Sequence, residues 1–221
     1  LLRLYMGPFA SARERGDLTD GDEVFTVAHV SSSQEGDVVE VQAFGLRQRF
    51  SGVTQIYAEG GVGNDRIELL EGVISTSELW GDMKNPGGNF GNDVLMGGDG
   101  AAQLHGGAGD DQLFGRAAAD QLYGDEGNDV LSGAGGNDRL EGGVGNDQLR
   151  GGDGEDLLQG DQGDDQLFGE SGDDQLSGGS GDDLIAGDSG NDFLEGFDGD
   201  DVLDGGEGSD PLSGFTGRDQ L

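Results

Sequence analysis

Asp147, Asp156 and Asp165 stand nine residues apart in the stretch GVGNDQLRGGDGEDLLQGDQGDDQLFG (143–169). Each precedes a leucine by two residues: Leu149, Leu158 and Leu167. Nearly everything between them is glycine or another acid. Carboxylates repeated among crowded glycine turns offer charged side-chain oxygens and backbone carbonyls together, the donors a hard divalent cation takes. Hydrolytic chemistry would need two differentiated carboxylates in a cleft, and nothing in the stretch singles out such a pair.

The spacing is a repeat. From Gly88 onward the chain divides into fourteen nine-residue units and a final eight residues, starting at 88, 97, 106 and so on to 214. The first position is glycine in all fifteen. The eighth is leucine except at Ile185, the sixth is aspartate except at Ala102, and the fourth is glycine except at Ala118. Position five is mostly Asn or Asp, as at Asn92, Asp110, Asn128 and Asn146. Four columns held in phase this long are an architecture and not low complexity.

GGVGNDQLR (142–150) and GGSGDDLIA (178–186) are similar to the G-G-x-G-x-D-x-U-x nonapeptide of the RTX (repeat-in-toxin) family, over about three fifths of the chain. The resemblance implies calcium binding, a parallel β-roll, and ions riveted between neighbouring turns.

The columns bear this out physically. Glycine at positions one, two and four permits positive φ and close backbone approach, and Asn or Asp at five tolerates left-handed backbone. These residues are expected to form a turn of six, leaving D-x-L-x as a very short strand. Side chains alternate along a strand, so Asp and Leu face inward together. Two units make one coil of 18 residues. One long edge then carries Asp93, Asp111, Asp129, Asp147, Asp165, Asp183, Asp201 and Asp219. The other carries Ala102 and then Asp120, Asp138, Asp156, Asp174, Asp192 and Asp210. Stacked carboxylates repel unless a cation lies between them. The family's position-six ligand carries over onto these aspartates and fails at Ala102. Carbonyls are expected from the turn glycines Gly109, Gly127, Gly145, Gly163 and Gly181 on the first edge, and Gly136, Gly154, Gly172 and Gly190 on the second. Residues 88–221 hold 32 acids and four arginines. With some gaps defective, roughly ten calcium ions are expected.

The defects cluster. The unit lacking aspartate at Ala102 is followed on its edge by Arg116, Ala117, Ala118 and Ala119. Arg116 supplies a fixed charge where an ion is missing, or the site has simply drifted. Pro211, at a seventh position, removes a strand N–H and is expected to weaken the C-terminal end. Phe193, Phe197 and Phe215 either cover that end or lie exposed.

Residues 1–87 are expected to form a less regular β region capping the roll formed by 88–221. Alternating stretches at 23–30, 37–44, 53–58 and 66–70 read as strands. GGVGNDRIE (60–68) is an outlying nonapeptide, SELWGD (77–82) a strand entering a turn, and MKNPGGN (83–89) a seven-residue insertion. Trp80 is expected in a cap or core. The opening LLRLYMGPFA reads as part of the fold and not as a signal peptide, and the chain as a piece of something longer.

Composition excludes much else. The net charge is −35, with 46 acids against 11 Lys and Arg. Such a surface repels nucleic acid and anionic membranes. No apolar run is long enough for a transmembrane helix. There is no cysteine, so no disulfide framework. His29 and His105 form no zinc-protease motif, and GDSG (187–190) is an in-phase repeat start. No catalytic signature is present.

The expected function is a calcium-binding structural module of a secreted protein that folds outside the cell. The resemblance further implies export by a type I secretion machinery. The alternatives are the non-catalytic module of a secreted protease, lipase, polysaccharide lyase or epimerase, with a possible polysaccharide partner, or a spacer of a cell-surface adhesin.

Overall fold

The computed structural model describes residues 2–5, 24–33, 36–43, 46–61, 63–82 and 91–221. Every regular element among them is a strand. The N-terminal part holds β1 (Leu2–Tyr5), β2 (Val24–Ser33), β3 (Gly36–Ala43), β4 (Leu46–Val53), β5 (Gln55–Gly61), β6 (Arg66–Leu69) and β7 (Thr76–Asp82). The repeats form β8 (Val94–Met96), β9 (Ala102–Ala108), β10 (Gln112–Arg116), β11 (Gln121–Glu126), β12 (Val130–Gly135), β13 (Arg139–Val144) and β14 (Gln148–Asp153). They continue as β15 (Leu157–Gln162), β16 (Gln166–Ser171), β17 (Gln175–Ser180), β18 (Leu184–Ser189), β19 (Phe193–Asp198), β20 (Val202–Asp204) and β21 (Leu212–Thr216).

Successive repeat strands alternate between two parallel sheets. One runs β1-β5-β7-β9-β11-β13-β15-β17-β19-β21, and the other β20-β18-β16-β14-β12-β10-β8-β6-β2-β3-β4. Register follows the 18-residue coil: Leu131 pairs with Leu149, Leu149 with Leu167, and Leu140 with Leu158. The position-eight residues from both sheets meet in one narrow core, and every one from Leu104 to Leu167 is fully buried. Each sheet contributes a single column of leucine, so the core is one side chain wide per strand. This is an all-β parallel solenoid.

The strands are longer than the sequence suggests. Gln148–Asp153 spans positions seven to nine of one unit and one to three of the next, and only positions four to six lie outside strands. The glycines at positions one and two therefore serve inside the ladder. Among the described residues all eight non-glycine residues with positive φ, including Ala134 (φ 77), Asp161 (φ 75) and Phe197 (φ 75), sit at position two. That position bends the strand and tolerates side chains because they point outward. Asn and Asp at position five do not adopt left-handed backbone, contrary to the expectation, and serve instead as acceptors.

Upstream, β5 to β8 stack in the same roll, with Ala58 over Leu79 and Ile67 over Leu95. The β2–β3–β4 meander extends the second sheet with antiparallel pairs. Leu79 pairs with Leu104, a separation of 25 rather than 18. The seven extra residues match the insertion at 83–89, which itself lies outside the described residues.

Trp80 is half-buried on the outer face, not in the core. It stacks on His105 at 3.8 Å, and His105 stacks on Tyr123 at 4.7 Å. Phe193, Phe197 and Phe215 are exposed outer residues, with Phe197 and Phe215 stacked at 4.7 Å. Around Pro211 the ladder thins. Regular coils donate the position-seven N–H to the carbonyl of a position-six Asp, as Phe193 does to Asp174 at 2.8 Å, and proline has no N–H to give.

Leu149→Ala leaves a cavity in a core with no second layer to fill it. It is expected to cost about 3 kcal/mol, read from the urea midpoint in saturating calcium.

Candidate metal sites

The position-six aspartates are built into the turns by two different uses of one carboxylate. The first oxygen, Oδ1, accepts the backbone N–H of the equivalent residue one coil earlier. Asp111 donates to Asp129 at 2.7 Å, Asp129 to Asp147 at 2.7 Å, Asp147 to Asp165 at 2.7 Å and Asp165 to Asp183 at 2.8 Å. Asp93 donates to Asp111, and Asp183 to Asp201. On the other edge the same bond joins Asp120 to Asp138, Asp138 to Asp156, Asp156 to Asp174 and Asp174 to Asp192.

The second oxygen has no such partner. Oδ2 of Asp111, Asp120, Asp129, Asp138, Asp147, Asp156, Asp165, Asp174, Asp183, Asp192 and Asp201 is buried and meets no hydrogen-bond donor. Position-one glycine makes room for it. A β-carbon on Gly124 would overlap Asp129 Oδ2 and lie 2.5 Å from the carbonyl oxygen of Gly142 on the next coil. At Gly142 and Gly160 the carbonyls of Gly160 and Gly178 come within 2.9 and 2.6 Å of the equivalent point. A carboxylate oxygen and a carbonyl oxygen from adjacent coils thus converge with no N–H donor between them. This set of oxygen donors fits calcium. Among the described residues no three His, Asp or Glu side chains gather into a metal cage. An ion here must therefore take most of its oxygens from the backbone.

The turn glycines close the coils on one another. Gly109, Gly127, Gly145, Gly163 and Gly181, with Gly136, Gly154, Gly172 and Gly190, have φ between 120° and 151°. The carbonyl of each earlier glycine points at the α-carbon of its successor. A β-carbon on Gly145 would overlap the Gly127 carbonyl oxygen, and one on Gly172 that of Gly154.

Burial raises the carboxyl pKa values in the metal-free chain. Desolvation is the largest cause, and the charge of neighbouring aspartates adds to it. Asp111 and Asp165 are pushed up to about 8, and Asp129, Asp138, Asp174 and Asp183 to about 7. Backbone N–H groups oppose the rise without cancelling it. The ionised form the buried groups resist is the form a cation requires.

Asp210 and Asp219 are half-buried and accept N–H groups from Asp192 and Asp201. At Ala102 the backbone still donates to Asp120 Oδ1 at 2.7 Å, but a methyl group occupies the carboxylate's place, 3.1 Å from the point above Gly97. Arg116 reaches across this gap to Asp99 at 3.9 Å. Of the two expectations for Arg116, a fixed charge at the defective gap is the one this contact favours.

Three features escaped the sequence reading. Asp65 extends the first edge, donating its N–H to Asp93 Oδ1 at 2.6 Å. The outlying nonapeptide at 60–68 was its signal. Gly81 occupies position one relative to Asp93, with the Gly106 carbonyl 2.5 Å from its β-carbon point. Its signal was L-x-G at 79–81. Position five forms a second ladder running the opposite way: Asn128 Oδ1 accepts from Asn146 at 2.9 Å, Asn146 from Asp164 at 3.0 Å, and Asp164 from Asp182 at 2.9 Å.

A parallel β-roll whose adjacent turns bring carboxylate and carbonyl oxygens together is a cation-binding repeat module. A family model of the RTX calcium-binding nonapeptide repeat, four copies long, matches residues 87–122, 114–149, 141–176, 150–185 and 177–212. The chain belongs to that family. No curated protein matches it.

Gly145→Ala would drive a methyl group into the Gly127 carbonyl at a φ of 138°. The expected loss is at least about 2 kcal/mol at saturating calcium, with fewer ions bound by isothermal calorimetry.

The pH dependence has a definite sign. Carboxyls with folded pKa values raised above 3.8 bind protons that the unfolded chain has released. The metal-free fold therefore gains stability as pH falls from about 8 toward 4. Calcium must displace those protons. Its midpoint concentration should rise as pH falls from 8 to 6, and calcium added at pH 7 should release protons into weakly buffered solution. A midpoint constant over that range would contradict the assignment.

Proposed function

We propose that this segment is a calcium-triggered folding module: unfolded where calcium is scarce, and folded where it is abundant outside the cell. One observation carries the reading, the row of buried Oδ2 atoms without donors. Burying each carboxylate costs several kcal/mol if it stays ionised, and protonating it near neutral pH is costly too; a marginally stable domain cannot absorb eleven such costs. Cations between the coils remove them. The binding free energy of the ions then becomes the folding free energy of the chain.

The first edge offers eight gaps from Asp65 to Asp219 and the second five from Asp120 to Asp210. About a dozen ions at saturation follow, somewhat more than the ten expected from sequence. The net charge of −35 keeps the metal-free chain expanded through self-repulsion, as threading through a type I secretion channel requires. Folding outside then follows from extracellular calcium. The segment itself is non-catalytic, its buried position-six carboxylates being committed to the ladder.

Circular dichroism in chelator and in millimolar calcium tests this. The β signal should appear only with calcium, in a steep transition. The same signal in both conditions would refute the switch.

A further inference from the structure

Asp82 has no place in the regular pattern. It ends β7, directly after Gly81 and directly before the insertion. In regular coils this position holds glycine or an outward side chain, as at the exposed Asp125, Asp161 and Asp188. Asp82 is only 5 % exposed. Its Oδ2 accepts the Ala108 N–H at 3.1 Å, replacing a strand neighbour that β7 does not offer to that end of β9. Its Oδ1 is buried with no well-formed hydrogen bond, the Gly91 N–H lying close to the carboxyl. Among the described residues no basic side chain pairs with it.

The carboxyl group lies over the next coil. A β-carbon on Gly107 would sit 2.7 Å from the Asp82 β-carbon and 3.1 Å from its Oδ2. Beside it, Asp93 Oδ2 and the Gly106 carbonyl converge on the point above Gly81. The charge of Asp82 also bears on Asp111. Asp82 therefore sets a second buried carboxyl beside the gap that Asp93 serves, where the regular gaps have one.

We propose that the gap between Gly81, Asp82 and Asp93 on one coil and Gly106 and Gly107 on the next, one of the eight on the first edge, is a calcium site unlike the others. Asp82 supplies its second carboxylate, and it fills before the regular gaps. This rests on the calcium reading of the ladder. Affinity at oxygen sites rises with the number of charged ligands, and one added carboxylate is expected to tighten this site about tenfold. It lies where the insertion interrupts the roll, at the upstream end of the regular coils. The first ion bound would fix the register from which those coils stack.

Trp80, the only tryptophan, stands two residues from Asp82 on the same strand and can report on this site. The full chain is titrated with terbium(III), a luminescent hard cation, excited through tryptophan. Sensitised emission should saturate within the first one or two equivalents, while the circular-dichroism change continues to later ones. Asp82→Asn keeps an oxygen to accept from Ala108 and removes the charge. It should defer the emission to later equivalents and weaken calcium binding at the early step about tenfold, with an unchanged spectrum at saturating calcium. Asp147→Asn, in a regular gap, should leave the early step intact. Emission growing in proportion to total terbium bound, or an Asp82→Asn titration identical to that of the unmodified chain, overturns the proposal. If Asp82→Asn does not fold, the order of filling in the unmodified chain decides alone. Failure of the calcium reading itself would look different: no terbium uptake and no spectral change.

Discussion

The structure depends on a carboxylate with two unlike oxygens. At each position six, one oxygen is consumed by the backbone of the coil before, and the other is buried where no donor reaches it. The first use fixes the aspartate's orientation and ties adjacent coils together. The second leaves negative charge in a low-dielectric place, where it is costly alone and valuable beside a cation. Position-one glycine follows from the need to leave that oxygen room. Position-four glycine follows from the 18-residue stacking, which brings successive turns within carbonyl contact. The leucine columns are thin because they need only fill the space between two sheets, not stabilise the roll by themselves.

Much of this was legible because the repeat is strict. Four columns in phase specify the coil length, the pairing register, the leucine core and the assignment of aspartates to alternate edges. What the columns hide is the use made of each glycine. Positions one, two and four look alike in sequence. The first is glycine to admit a carboxylate, the second bends a strand and accepts Ala134 or Phe197, and the fourth does both jobs of close approach and left-handed backbone. Position five misled for a similar reason. Asn and Asp suit left-handed turns, but they are also short acceptors, and here the second property prevails. Asp65 and Gly81 were missed because an insertion breaks phase in sequence while leaving spatial register intact.

The two edges are unequal in a way that links the roll to what precedes it. On the first, carboxylates run from Asp65 onward. On the second, the stack runs Leu2, Ile56, Ser77, Ala102, and the first aspartate is Asp120. The upstream coils on that edge thus rely on apolar burial and on the Arg116–Asp99 contact rather than on ions. An ion pair of partly exposed groups contributes modestly. Its value lies in placing positive charge permanently where the acidic chain would otherwise repel itself.

A last consequence concerns cooperativity. The ladders at positions five and six run in opposite senses: position six donates from the earlier coil to the later carboxylate, and position five from the later coil to the earlier side chain. Removing one coil would therefore orphan groups on both of its neighbours. Each candidate ion likewise draws oxygens from two coils. Stability is then a sum of nearest-neighbour terms, and a single isolated unit has none of them. The strict spacing is what such coupling demands. A unit of eight or ten residues would misplace its own ligand and also the donors of the coils on either side. The insertion at 83–89 is tolerated because Gly81 and Asp93 still meet across it.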